Sequence, residues 1–486
     1  MARIVVLGAG VSGHTAALHL KRLLGKHHEV IVVSPNSKWN WIPSNIWVGV
    51  GKMTKDDVTF PLAPVYRRQH IEFHQARATA IRPEGDRSDP TPVVDIVSTE
   101  PSTEGRTEQL RYDYLVYATG PKLRFEATPG LGPDGHSQSV CTADHATRAA
   151  AELDHVVERL RAGQRQTLVI GMGHGGCTCE GAAFEYVFNV DHVLRERGVR
   201  DLAEVIYLTN EHELGDFGVG GMTFGAGGQR LTSEDWMKGL FHERDIKAII
   251  QAHVTEVQPE AVLYDTIDGA SGRQPFDFAM LLPPFKGVGV QAFDRDGSDI
   301  TDSVFAPSGF MKVDADYTTR PFEEWAAADW PRTYESAVSP NVFGVGIAFA
   351  PPHAISRPYQ TPGGAPVAPA PPRTGMPSGI QGRAVAETIA HRVKSGDIAA
   401  PARSASMANM GAACIASIGA GMRKGAAAAI TMSPIVPDTK RYPETGRDLA
   451  STFGEIGLAG HWMKRLLHTL FIYKAKARPG WWLIPE

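Results

Sequence analysis

The stretch RIVVLGAGVSGHTAALHLKRLL, residues 3–24, constrains the fold more than any other. A β-branched run leads into Gly8-x-Gly10-x-x-Gly13 and then into apolar residues at helical spacing. Strand, glycine loop and helix in that order predict a βαβ unit that binds a dinucleotide. Gly8 permits a tight turn, Gly10 lets backbone N–H groups approach phosphate, and Gly13 lets the helix close on the strand. The next strand, HEVIVVSP, ends in Ser34 where an acidic residue ordinarily holds a ribose diol; the Ser34 hydroxyl can still donate there.

A second strand and loop, RQTLVIGMGHGGCTCEG at 165–181, repeats the pattern with Gly171, Gly173 and Gly176. Ala183, Tyr186, Val187, Val190 and Leu194 then recur at helical spacing. Cys177 and Cys179 occupy the helix start, where the dipole and orphan N–H groups favour a thiolate. That suits a nucleophilic sulfur better than a bound nucleotide. The bland alternative is a pair of inert thiols in a packing turn.

At 486 residues the chain suggests two or three domains. We expect a first dinucleotide-binding segment at 1–150, a second Rossmann-like domain at 151–275, a return to the first domain at 276–400, and a C-terminal region at 401–486. With 49 Lys+Arg against 53 Asp+Glu the net charge is -4, which does not invite nucleic acid. Four cysteines are too few for a disulfide scaffold, and their spacing does not suggest a metal site. The N-terminus lacks a signal-peptide layout, and no apolar run reaches the ~18 residues that span a bilayer; the longest small-residue run, 410–422, contains Gly and Ser and ends at Arg423.

Two more segments define the first cofactor. YDYLVYATGPKLRF, 112–125, is a strand followed by Ala118-Thr119-Gly120, and SPNVFGVGIAFAPP supplies a strand ending at Gly346. Both resemble the places where FAD enzymes with two dinucleotide domains return to the flavin. Ile347 stands where that class usually has Asp. FAD is the expected first cofactor.

The blocks WIPSNIWVGVGKMTKDDVTFPL, SVCTADHA, CEGAAFEYVF, LLPPFKGVGV, VFGVGIAFAPP and AACIASIGAGMRKGAAAAI together resemble the sulfide:quinone oxidoreductases, FAD flavoproteins of the flavin disulfide-reductase superfamily. The similarity runs in order from residue 3 to about 430 and more loosely to about 478. It implies sulfide as substrate, membrane quinone as acceptor, and three working cysteines: Cys141, Cys179 and Cys414. In the family's manner, Cys179 faces the flavin, Cys414 holds the growing sulfur chain and Cys141 assists. Cys177 is extra, either a passenger or a partner in the relay. Glu185 and His145 match family positions with possible proton roles, each as readily structural. Asp216 replaces a frequent family His, and Lys286 matches a recurrent Lys that a surface salt bridge would equally explain. The Pro-rich stretch 350–375 would wall the quinone site, and Arg373-Thr374-Gly375 resembles a Lys-Thr-Gly that touches the flavin through its backbone.

From Gly454 onward, Trp462, Met463, Leu466, Leu467, Leu470 and Phe471 form an apolar stripe flanked by Lys464, Arg465 and His468, with Lys474, Lys476, Arg478, Trp481 and Trp482 beyond. This predicts a helix lying on the bilayer surface, against a plain docked helix. The expected protein is therefore α/β, two tandem Rossmann-like domains plus a C-terminal amphipathic helical region that makes it a peripheral membrane protein; either a monomer or a homo-oligomer fits. Two rivals stand. An NADH:quinone reductase of the same superfamily would use Glu211 for the nicotinamide ribose. A flavoprotein subunit of a sulfide dehydrogenase complex, or a redox sensor, would need an export signal or no catalysis.

Overall fold

The computed structural model describes residues 1–226, 229–373, 375–418 and 426–486. Thr374 and residues 419–425, the middle of the AACIASIGAGMRKGAAAAI block, lie outside the described residues, as does the end of the small-residue run 410–422.

The first sheet runs in the order Val342–Gly344, Tyr114–Tyr117, Arg3–Leu7, Glu29–Ser34, Glu72–Arg82, and these five strands are parallel. Val6 sits opposite Val32 on one side and Val116 on the other. All three are buried, as a strand covered on both faces requires, and this is why the N-terminal run is continuously apolar. Val93–Ser98 and Thr107–Arg111 extend the sheet in antiparallel fashion. The helices Val11–Leu24 and Met376–Ser395 lie on one face so closely that a Cβ at Gly382 would stand 2.3 Å from the Ser12 carbonyl oxygen.

The second sheet is also parallel, in the order Ile246–Ile249, Ala203–Leu208, Gln166–Met172, Phe278–Leu282. In both sheets the first strand of the unit lies between the second and a later one. The crevice at its carboxyl end is the place where such folds take ligands. The expected domain limits shift here. Helix Ala143–Arg161 runs through residue 150, and Phe278–Leu282 belongs to the second sheet, so 151–275 is too short at both ends. A helix and a sheet edge cannot be divided without exposing apolar faces, whereas the sequence signals mark only loops.

The C-terminal region is a three-stranded antiparallel sheet, Ala412–Ile418, Ala426–Met432 and Phe453–Gly457, followed by helix Leu458–Ala475. No helix among the described residues is long and apolar enough to cross a membrane. The predicted stripe divides. Phe471 stacks on Trp41 and Leu467 packs near Ile415, while Trp462, Met463 and Leu466 are exposed. The polar face turns inward because each group finds a partner: Ser417 Oγ lies 2.6 Å from His461 Nδ1, Ser44 Oγ lies 2.9 Å from His468 Nδ1, and Lys464 pairs with Glu185. Two expected interface groups are instead interior. Trp481 is buried edge-on to His19, and Lys474 is buried against Glu486.

Candidate functional site

The loop Gly8–Gly13 leaves the first strand as predicted. Gly8 adopts φ +98°, and a Cβ there would stand 2.2 Å from the Ala118 carbonyl oxygen, so the loop is pressed against Ala118-Thr119-Gly120. At Gly13 the same atom would be 2.1 Å from the Gly8 carbonyl oxygen. Gly346, at φ +69°, receives Ser12 Oγ where its own Cβ would be, and its N–H donates to Gln381 Oε1 at 2.8 Å. Ser34 is buried at the carboxyl end of the second strand, where its Oγ accepts from Asn36 N–H. At Gly10, Gly120 and Gly375, in contrast, a Cβ would meet no atom within 4 Å. Gly10 and Gly375 head the two packed helices, neither with a side-chain cap, so orphan N–H groups face that open space. This is a cradle for anionic and carbonyl oxygens, and it fits a flavin nucleotide.

The second glycine loop is occupied by the protein itself. The Pro-rich stretch, which includes the hairpin Tyr359–Gln360 and Pro366–Val367, is bound along it: Ala368 N–H donates to Gly175 O and Ala370 N–H to Cys177 O, both at 2.8 Å. The Pro366 carbonyl oxygen lies 1.7 Å from where a Gly175 Cβ would be, and Leu131 covers Gly173 at 2.4 Å by the same measure. Glu211, the acid available to a ribose, is fully buried with its carboxyl taken by Phe217 N–H at 2.8 Å and the Thr209 hydroxyl at 2.9 Å.

Thiols gather at the following helix, Glu180–Glu196. Cys179 is its N-cap residue, held at φ +72°, an uncommon backbone for a side chain with a Cβ. The Sγ of Cys414, from the C-terminal sheet, would stand 3.0 Å from a Cβ at Gly181, so residues 235 positions apart in sequence share this helix start. Arg373 is buried with Cys179 as an electrostatic neighbour; its guanidinium donates to Ile347 O at 2.9 Å and lies 4.5 Å over the Phe310 ring. Cys177 points elsewhere. It is fully buried, donates to Leu282 O at 3.1 Å, and has its thiol pushed well up by burial and by Glu180. Of the two, only Cys179 stands at the helix start, as its N-cap residue. Cys141 is half-buried just ahead of helix Ala143–Arg161, and burial pushes its thiol up to about 11. His145, in that helix, is half-buried with its ring edge-on to Phe125. Lys286 makes a surface salt bridge to Glu126 at 3.1 Å.

Glu185 lies beside Cys414. One carboxyl oxygen accepts from Ser417 N–H at 3.1 Å and the other pairs with Lys464. Burial raises this carboxyl, opposed by Lys464, and the Cys414 thiol is pushed up to about 11 by burial and then Glu185. Behind Cys179 stands a cluster that the motifs did not announce. Glu180 is fully buried and raised well above the carboxylate range by burial and by Glu211, with Asp216 contributing. Only the chain crossing that joins these segments reveals it.

Similarity to known proteins extends over nearly the whole chain. Over 474 residues the chain is 27% identical to the sulfide-quinone reductase of Aquifex aeolicus, covering 97% of this chain and 91% of that one. The solved structure of the sulfide:quinone oxidoreductase from that bacterium superposes with a TM-score of 0.75 at 26% identity, over 98% of this chain and 92% of the other. The chain is thus similar over nearly its whole length to sulfide:quinone oxidoreductases. The mouse mitochondrial sulfide:quinone oxidoreductase is more distant, 22% identical over 71% of this chain and 64% of its own length. The family model for pyridine nucleotide-disulphide oxidoreductases matches residues 2–214, which include both glycine loops and Cys141, Cys177 and Cys179. A flavin cofactor follows from these similarities.

Proposed function

We propose that this protein is a sulfide:quinone oxidoreductase that oxidises sulfide through Cys179 and Cys414, with FAD as its flavin. The observation that carries this reading is the seating of Cys414 Sγ on the first turn of the helix that Cys179 caps. With the two sulfurs joined, HS⁻ attacks the Cys414 sulfur; the bond to Cys179 breaks, Cys414 keeps a persulfide, and Cys179 leaves as a thiolate. Arg373 and the helix N-terminus favour that thiolate. A flavin held by the Gly8–Gly13 cradle would supply the two-electron acceptor that lets the sulfurs rejoin, with quinone as the final acceptor. Glu185 takes the proton released beside Cys414. Cys141 assists in product release and Cys177 is structural. The Pro-rich stretch, anchored on the second glycine loop, walls the quinone site.

Phe453, Ile456, Trp462, Met463 and Leu466, on the last strand and the helix that follows it, are all exposed, which supports peripheral attachment to the membrane that holds the quinone. The test is spectral. Anaerobic sulfide added to the purified yellow protein bleaches the flavin, and a soluble quinone restores it. Bleaching by NADH but not by sulfide overturns the proposal.

A further inference from the structure

Helical spacing puts Lys464 on the flank of a surface helix, yet its ammonium is turned away from solvent. Its side chain is 12% exposed, and that of Glu185, its partner, is 7% exposed. The ammonium also donates to Ile415 O at 3.0 Å and lies 5.9 Å from the centre of the Trp47 ring. Ile415 directly follows Cys414, and Ser417, two residues later, gives its N–H to the same carboxyl at 3.1 Å. One turn earlier on the helix, His461 meets the Ser417 hydroxyl. Glu185 is thus faced by Lys464 from the C-terminal helix, by Cys414 and Ser417 from the strand, and by His461 through Ser417. An isolated carboxylate at this depth would take up a proton instead of staying charged.

We propose that Lys464 is a positioning residue for the sulfide step: its ammonium holds Glu185 as a carboxylate against the strand that carries Cys414. Glu185 is then competent to receive the proton of the persulfide that Cys414 carries. The S–H bond breaks, an O–H bond forms on Glu185, Lys464 keeps its own proton, and no electrons move. Lys464 itself touches neither sulfide nor the flavin in this scheme. The inference deepens the proposed function and rests on it for the role of Glu185.

Infrared difference spectra of the flavin-loaded protein test this directly. The protonated-carboxyl stretch of Glu185 is assigned by its loss in Glu185→Gln and followed against pH. In Lys464→Gln, and in the more apolar Lys464→Met, that band should persist at least about one pH unit higher than in the wild type, a tenfold change in the proton equilibrium. Lys464→Arg should restore the wild-type titration, which a purely space-filling role would not require. The acid limb of flavin reduction by sulfide should move with the band. Titration of Lys464→Gln and Lys464→Met together with wild type overturns the assignment. A band that moves while the acid limb stays keeps the pairing of Lys464 with Glu185 but overturns the role of both in the sulfide step.

Discussion

Cys414 Sγ rests on Gly181, where a Cβ would come within 3.0 Å of the sulfur. Position 181 lies two residues beyond Cys179, and a methyl group there presses on the Cys414 sulfur and on no other side chain within 4 Å. Alanine is the best helix former, so the helix itself gains. Gly181→Ala should therefore fold with flavin bound while reduction of the flavin by sulfide slows by about tenfold or more, the scale on which misplaced reacting groups lower rates. Stopped-flow reduction at wild-type speed would separate Cys414 from the reaction.

The four cysteines should divide cleanly. Cys179→Ser and Cys414→Ser keep the yellow flavin but lose its bleaching by sulfide, because the cradle uses neither sulfur. Cys177→Ser keeps most activity, since a serine hydroxyl can still donate to Leu282 O from the same buried place. Normal turnover by Cys179→Ser alongside a dead Cys177→Ser would reassign the CTC pair.

NADH and NADPH should reduce the flavin far more slowly than sulfide does. The reason is steric as well as electrostatic: residues 366–370 bond along the second glycine loop, Leu131 covers Gly173, and Glu211 is turned inward. Single-turnover traces with each reductant decide it. Rapid bleaching by micromolar NADH would require the Pro-rich stretch to leave its hydrogen bonds.

The legible parts of this molecule are those governed by local rules. Gly8, Gly10 and Gly13, the strand ending in Ser34 and the buried face of helix Glu180–Glu196 follow from spacing and steric need, and the structure has them in those places. What the sequence concealed depends on partners distant along the chain. Cys177 and Cys179 look alike in a string, but Cys179 is the left-handed N-cap of the helix while Cys177 is buried against the Leu282 carbonyl. His461, Lys464 and His468 recur on one helical face, yet whether such a face meets water or protein depends on Ser417, Glu185 and Ser44. Glu180 gave no signal of its own, because its importance comes from burial, and Arg373 was marked only by its Arg-Thr-Gly resemblance and not by its approach to Cys179.

Glu211 carries a pH signature. Burial first, then Asp216, raises its carboxyl from 4.5 to about 7. The folded-state value lies above the unfolded one, so its stabilising contribution is complete below pH 4.5 and is lost as pH rises through about 7. Glu211→Gln stays neutral throughout and keeps an oxygen for Phe217 N–H. Its urea midpoint should match wild type at acid pH and exceed it at pH ~8. The gain should be on the order of 3 kcal/mol, because a tenfold change in a proton equilibrium is worth about 1.4 kcal/mol. Parallel midpoints across that range would show that Glu211 is not the group that titrates.

The C-terminal surface gives the last prediction. Removing the whole helix would strip Glu185 of Lys464 and Ser417 of His461, so loss of vesicle binding by a truncated chain would not distinguish detachment from unfolding. Substitutions on the outer face avoid this. Trp462 is 53% exposed and Leu466 57%, and Met463, Phe453 and Ile456 are exposed as well. Completing the burial of five such side chains, at roughly 1.5–3 kcal/mol for each fully buried one, yields several kcal/mol, enough to hold a protein on a bilayer. Met463→Asp with Leu466→Asp should leave flavin content and bleaching by sulfide unchanged. The same variant should stay in the supernatant when liposomes are pelleted and should lose turnover with lipid-embedded quinone while keeping it with a soluble one. Full retention on vesicles would place the membrane contact on another face.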